Sequence, residues 1–253
     1  YTTLFRSMSK LSSEMKALAK KAGGSFKTVN DRIHITKRFS EHLRALNIQI
    51  QRVEQIKVRH IECYIEGRLE QDIGLRTLQN EMAALRSVLR QAGRRQVVEH
   101  PRLTNKALGV SGASRNGTRR AITPEHYLQV MEKAHTQDTG LAAALEIARL
   151  MGLRSQEAVQ SSQSLKTWLK AIERGETRLK VVFGTKGGRP RYTVVLDTGA
   201  VRNALEKALL VADRHNGRLI DKPNLKTAMN HWHKQAAKVG LTGEYSPHSL
   251  RYA

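Results

Sequence analysis

Apolar residues recur at helical spacing along most of the chain, and the breaks between these patterns mark the elements. Leu11 to Ala22 reads as a helix and stops at Gly23-Gly24, a natural helix C-terminus. Thr28 to Leu46 repeats the pattern with Val29, Ile33, Ile35, Phe39, Leu43 and Leu46, and Gln55 to Leu69 follows, ending before Asp72-Ile73-Gly74. Thr77 to Gln91 is the clearest amphipathic stretch, with Leu78, Met82, Leu85, Val88 and Leu89 on one side. Four helices of this length can bury a common core as a small bundle.

Residues 110–121 are rich in Gly, Ser, Asn and Arg and break the periodicity, which makes them the best domain boundary. The expected division is a helical domain over 1–110, a basic linker over 111–121 and a second domain over 122–253. That second domain opens with Thr123-Pro124-Glu125, an N-cap, a first-turn proline and an early acid. Helices are predicted through about Ala134, from Leu141 to Leu150, from Arg154 to Gln160 and from Leu165 to Ile172. The period then changes: residues 178–183 and 192–196 look like strands flanking the turn Gly184-Thr185-Lys186-Gly187-Gly188-Arg189-Pro190. Helical patterns return at Ala200 to Ala212 and Asn224 to Val239. The fold class expected is mainly α with a small β-sheet.

Charge changes this picture from scaffold to binder. Lys and Arg total 44 against 22 Asp and Glu, a formal net charge of +22. The first 110 residues hold 21 basic and 10 acidic residues, the remainder 23 and 12, so both parts carry +11. An even spread suggests two folded bodies that each face a polyanion, with DNA and RNA both open on charge alone. No long apolar run or amphipathic anchor accompanies the charge, which argues against a membrane. Aromatics are 5% of the chain, so the cores are mainly aliphatic. The single cysteine, Cys63, excludes an intrachain disulfide, fits a reducing cytoplasm and reads as a small core residue. His231-Trp232-His233 reads as helix surface around a packed Trp rather than a metal site, and the 184–188 turn lacks the ending of a P-loop.

Three segments carry candidate chemistry. In Met151-Gly152-Leu153-Arg154-Ser155-Gln156-Glu157 a glycine allows a tight turn that aims Arg154 into a cleft, while Glu157 orients it or caps the backbone. Lys186 sits in the glycine-rich hairpin turn. In Ser246-Pro247-His248-Ser249-Leu250-Arg251, Ser246 suits an N-cap and Pro247 a first helical position. His248 and Arg251 then share one face of a first turn whose N–H groups favour phosphate.

In this order and with these settings, the segments resemble the tyrosine recombinase (phage-type integrase) family. The resemblance implies a helical core-binding (SAM-like) bundle, an α+β catalytic domain and a clamp around DNA. It assigns Arg154, Lys186, His248 and Arg251 to the active site, with Arg115, Arg119, Arg120, Arg189 and Arg191 as DNA contacts. It implies DNA cleavage and rejoining through a 3′-phosphotyrosyl intermediate, for integration or excision of a mobile element. The partners implied are double-stranded attachment-site DNA and other copies of the chain, as a tetramer, in the bacterial cytoplasm at the nucleoid.

The chemistry is consistent with that implication. Attack on a phosphodiester concentrates charge on the nonbridging oxygens, which two guanidiniums can neutralise. Lys186 can protonate the departing 5′ oxygen, and His248 can bond the phosphate or move a proton. This logic requires no metal and no cofactor. The family's tyrosine nucleophile and a preceding His or Trp are expected after the His-x-x-Arg pair, where this sequence has only Tyr252 and Ala253. Tyr252 is read as a packing residue, Tyr245 precedes the motif and Tyr192 lies on an expected strand, so none is assigned as nucleophile. The chain as it stands is expected to bind DNA without cleaving it, unless another protomer donates a tyrosine. The rivals are a telomere resolvase or type IB topoisomerase, and a non-catalytic DNA-binding regulator or architectural protein.

Overall fold

A computed structural model describes residues 9–114 and 120–252. The chain divides into two compact units, Tyr1–Arg115 and Asn116–Ala253. Of the predicted linker contacts, Arg115 and Arg119 lie outside the described residues. Arg120 is exposed and stands 3.9 Å from Glu244.

The first unit is helical: α1 (Lys10–Lys21), α2 (Phe26–Ala45), α3 (Val58–Leu69), α4 (Leu75–Gln91) and the short α5 (Arg95–Val98). Serine caps set the first two starts, Ser9 accepting from Ser12 N and Ser25 from Thr28 N, both at 3.2 Å. The third helix starts later than its pattern predicts. The Gln55 side chain accepts from Gln51 N and Arg52 N, closing a 3-10 turn over Val53–Gln55, and buried Ile56 then leads extended into Val58. Met15, Phe39, Leu43, Leu78, Met82, Leu85, Val88 and Leu89 form the core around Tyr64, whose ring meets Phe39 edge-on at 5.3 Å. Each such side chain contributes about 1.5–3 kcal/mol through burial.

One charge lies inside this core. Glu81, 1% exposed, accepts from Tyr64 Oη (2.8 Å), from Arg68 Nε (3.2 Å) and Nη2 (2.9 Å), and from Arg38. Cys63 is only half-buried, with its thiol 3.9 Å from His42 Nε2, which corrects its reading as a core residue. It sits one position before Tyr64, on the flank of α3, where the helical period turns it away from the interior.

The second unit contains α6 (Pro124–Gln137), α7 (Thr139–Leu150), α8 (Ser155–Val159), α9 (Leu165–Glu173), β1 (Arg178–Val181), β2 (Arg191–Val194), α10 (Thr198–Arg214) and α11 (Leu225–Lys238). The central helix α7 is buried through Gly140–Leu145 and again at Ile147 and Ala148, and it packs on α6, α8 and α10. Its small residues permit that crowding: a Cβ on Gly140 would fall 1.9 Å from the Leu219 carbonyl oxygen. Trp232 is fully buried on α11 while His231 pairs with Asp138 at 2.7 Å and His233 faces out.

The two strands pair antiparallel with Leu179 opposite Thr193 and Val181 opposite Arg191. Leu179 and Val181 point into the core, and Trp168 Nε1 donates to the Lys180 carbonyl at 2.8 Å. The first strand ends before the expected residue 183 because Val182 and Phe183 have already turned outward. Pro247–Tyr252 is a 3-10 segment packed on α7 rather than the start of a regular helix.

Candidate active site

The site is built where α7 stops. Met151 caps α7, and Gly152 at φ +57° turns the chain into buried Leu153 and then Arg154. Arg154 is extended and forms the N-cap of α8, which puts Glu157 at the third helical position. The Glu157 carboxylate reaches back to the Arg154 N–H at 2.8 Å and to Arg154 Nη1 at 2.7 Å. Both roles expected for Glu157, orienting the arginine and capping the backbone, are present.

Glu157 is fully buried, and a second guanidinium shares it. Arg191, from β2, donates through Nε (3.0 Å) and Nη2 (2.6 Å) to the two carboxylate oxygens. Its Nη2 also donates to the Gly152 carbonyl at 3.0 Å and its Nη1 to the Tyr192 carbonyl at 3.4 Å. Burial alone would raise the Glu157 carboxyl. The hydrogen bonds from Arg191, then those from Arg154, override it and hold the group at about 2. Arg191, expected as a DNA contact, is therefore 21% exposed and occupied within the protein.

Arg251 completes the cluster. Burial and the neighbouring charges of Arg154 and Arg191 push its guanidinium below its ordinary value, with Glu157 acting in the opposite sense. It stays protonated under any ordinary condition. Its Nη1 is buried with no hydrogen-bond partner. Its Cγ lies 3.9 Å from where a Gly152 Cβ would sit, an ordinary contact, so it is the left-handed turn and not space that calls for glycine there. Beside the cluster runs a cleft of about 280 Å³, lined by Arg149, Gly152, Thr193, Leu196, Asp197 and Arg251 among others. Arg149 lies over the Tyr127 ring at 4.3 Å, and burial pushes that phenol up to about 12.

The other two predicted site residues are exposed. His248 N donates to Ser246 Oγ (3.2 Å) and Ser246 N to Ser249 Oγ (3.0 Å), which closes the turn. In a 3-10 turn residues i and i+3 eclipse, so His248 and Arg251 leave on the same side. The His248 ring meets Tyr252 edge-on at 4.9 Å. Lys186 stands at the exposed hairpin tip, followed by Gly187 at φ +71°. Among the described residues neither the Lys186 nor the His248 side chain makes a hydrogen bond or ion pair. Arg189, also at the tip, is exposed.

The structure thus brings Arg154 and Arg251 together with Glu157 and Arg191. Three guanidiniums around one carboxylate leave an excess of two positive charges, a buried unsatisfied donor and an adjoining cleft. An anion with several oxygens, such as a phosphodiester, meets each of these demands. Among the described residues no three His, Cys, Asp or Glu side chains gather as a metal site would require.

Sequence comparison identifies the class. A family profile described as "Integrase" matches residues 109–253, more than half of the chain, and one described as "Phage integrase, N-terminal" matches residues 8–98. The chain belongs to the phage integrase family, the tyrosine recombinases, and is a DNA recombinase in kind. A comparison with curated proteins finds no match.

Solved structures share the fold. A lambda integrase tetramer bound to a Holliday junction aligns with a TM-score of 0.60 at 19% identity, over 96% of this chain and 67% of that one. Lambda integrase residues 75–356 bound to DNA align at 0.56 and 19% identity, over 95% and 83%. A dimer of the same lambda integrase fragment on a COC′ core site aligns at 0.55 and 19% identity, over 96% and 86%.

Proposed function

We propose that this chain carries the DNA-binding and phosphate-activating machinery of a site-specific recombinase that cuts and rejoins DNA through a 3′-phosphotyrosyl intermediate, in integration or excision of a mobile element. The observation that carries this reading is the cluster of Arg154, Arg191 and Arg251 on one buried Glu157, with Arg251 Nη1 left unpaired.

In this reading Arg154 and Arg251 grip the nonbridging oxygens of the scissile phosphate, and His248 bonds it from the exposed face. A tyrosine oxygen attacks phosphorus, and the bond to the 5′ oxygen breaks. That oxygen leaves with a proton from Lys186. The new phosphotyrosyl ester is later attacked by a 5′ hydroxyl of another strand, which frees the tyrosine. Arg120 and Arg189 face the DNA backbone, with Arg115 and Arg119 assigned to the strap between the domains. The partners are attachment-site DNA and three further protomers, in the cytoplasm at the nucleoid. The lambda integrase structures, solved as DNA-bound dimers and a tetramer, support both partner assignments.

The surroundings of Tyr64, Tyr127 and Tyr245 support a nucleophile outside the described residues, and exposed Tyr192 and Tyr252 stand against Arg178 and His248. Tyr64 is committed to Glu81, Tyr127 lies beneath Arg149, Tyr192 lies beside Arg178, Tyr245 stacks on His126, and Tyr252 packs against His248. The test is a covalent-adduct assay on nicked DNA from the element's ends. It compares the 253-residue chain, the full product of its gene and that product carrying Arg154→Ala or Tyr252→Phe. A denaturation-resistant adduct is expected from the full product, surviving Tyr252→Phe and lost with Arg154→Ala. Tight DNA binding with no adduct from any of them would instead identify a non-catalytic DNA-binding protein.

A further inference from the structure

We propose that Arg191 is a positioning residue that locks the Lys186 hairpin onto the Arg154 turn and leaves one edge of Arg154 free for the phosphate. The first part rests on geometry alone; the second rests on the recombinase reading above.

The hairpin is attached to the Met151–Glu157 segment on both sides of its tip. On one shoulder, Gly184 at φ +73° lies so close to α8 that a Cβ there would fall 2.4 Å from the Gln156 carbonyl oxygen and 2.7 Å from Glu157 N. On the other, Arg191 joins Glu157 and the Gly152 carbonyl, and Thr193 Oγ1 donates to the Met151 carbonyl at 2.6 Å. Only residues 185–190 run between these anchors, and Lys186 is among them. Gly184 and Thr193 are held by packing and by a neutral bond. Arg191 supplies the one charged link, and it ends on the same carboxylate that orients Arg154.

That shared carboxylate explains the second effect. Glu157 has two oxygens, and Arg191 engages both. Arg154 gives it a backbone N–H and Nη1 alone. Without Arg191 the buried carboxylate keeps one hydrogen-bonded cation, Arg154, with Arg251 near it but unbonded, and the strongest pairing already in reach is a fork with Arg154. That fork would consume the donors that the phosphate needs. Arg191 therefore saturates Glu157 and spares Arg154, while setting how far the hairpin tip stands from the same turn.

The experiment combines amide exchange on the chain with cleavage by the full gene product, for wild type, Arg191→Ala and Arg191→Lys. The lysine variant keeps the charge and guards against simple misfolding. Two nicked DNAs are used, one ordinary and one with sulfur replacing the bridging 5′ oxygen at the scissile phosphate. A thiolate leaves without a proton, so the second DNA bypasses the work assigned to Lys186. In Arg191→Ala, the paired strand amides over 178–181 and 191–194, with the Gly188 N–H bonded to the Thr185 carbonyl, are expected to exchange about tenfold faster or more. Cleavage of ordinary DNA is expected to fall about 100-fold, with DNA affinity within about threefold of wild type. The sulfur-bridged DNA is expected to recover about tenfold of that loss, and Arg191→Lys to fall between the two proteins.

Unchanged exchange in Arg191→Ala overturns the lock whatever the activity. Faster exchange with undiminished cleavage, or equal slowing on both DNAs, overturns the positioning role. If wild type cleaves neither DNA, the recombinase reading falls instead, and exchange alone decides whether Arg191 anchors the hairpin.

Discussion

Glu157 shows what a single buried carboxylate costs and what it organises. Its folded-state value of about 2 lies below that of an ordinary carboxyl, so the ionised form stabilises the fold. That contribution is complete above the usual carboxylate range and disappears as pH falls towards 2. It amounts to roughly 3 kcal/mol at neutral pH. Denaturant midpoints measured between pH 7 and pH 2 should therefore decline below about pH 4.5 in wild type. Glu157→Gln should begin about 3–5 kcal/mol lower at neutral pH, since it strands two guanidiniums, and should show a flatter acid limb. Much of this site was readable from residue spacing. Arg154 and Glu157 fall three apart after a turn glycine, and His248 and Arg251 three apart after a cap. The brace from Arg191 was not readable, because it joins positions 34 apart in sequence and periodicity reports only which face a residue takes. A usable signal did exist: an acid buried at an N3 position beside one arginine calls for a second cation.

Among the elements, the helices were legible because caps and a 3.6-residue period agree, and most observed ends fall within two residues of the pattern. The departures come from side chains that redirect the backbone. Gln55 delays α3, and at the C-terminal turn Ser246 N donates to the Ser249 hydroxyl while the Ser246 hydroxyl accepts from His248 N. Ser249 N donates to the Ser246 carbonyl at 2.8 Å, while the Ser249 carbonyl accepts from Ile122 N at 3.4 Å. Carbonyls engaged this way hold a 3-10 turn instead of extending an α-helix. Gly184, which the sequence places only in the hairpin turn, is a point of close approach to α8. Gly184→Ala should destabilise the second unit by roughly 2–4 kcal/mol, from left-handed strain and overlap with α8. Thermal melting checks this, and Gly187→Ala, with open space around its Cβ, should cost less.

At the scale of the whole molecule, each unit keeps its own buried glutamate held by two arginines: Glu81 with Arg38 and Arg68, Glu157 with Arg154 and Arg191. Glu81→Gln should loosen the first unit by about 3–5 kcal/mol and leave amide protection around Glu157 unchanged, which exchange mass spectrometry can resolve by segment. The net charge of +22 is carried by both parts. Replacing Arg115, Arg119 and Arg120 by Ala should weaken DNA binding regardless of sequence and reduce the salt slope by about one unit per lost contact. An unchanged slope would remove the strap from the interface. Composition made the even excess of positive charge visible; the fold supplied the Glu157 cluster, which in the proposed function turns general attraction into a grip on one phosphate.

The unpaired N–H of Arg251 has a thermodynamic consequence. If this cluster is a socket that binds an oxyanion as proposed, the empty protein is the less stable form, and a fitting oxyanion shifts the folding equilibrium by mass action. At a hundred times its dissociation constant such a ligand adds about 2.7 kcal/mol. Melting temperature then becomes a gauge of what occupies the socket, and sulfate, phosphate and short DNA can be ranked by heating alone.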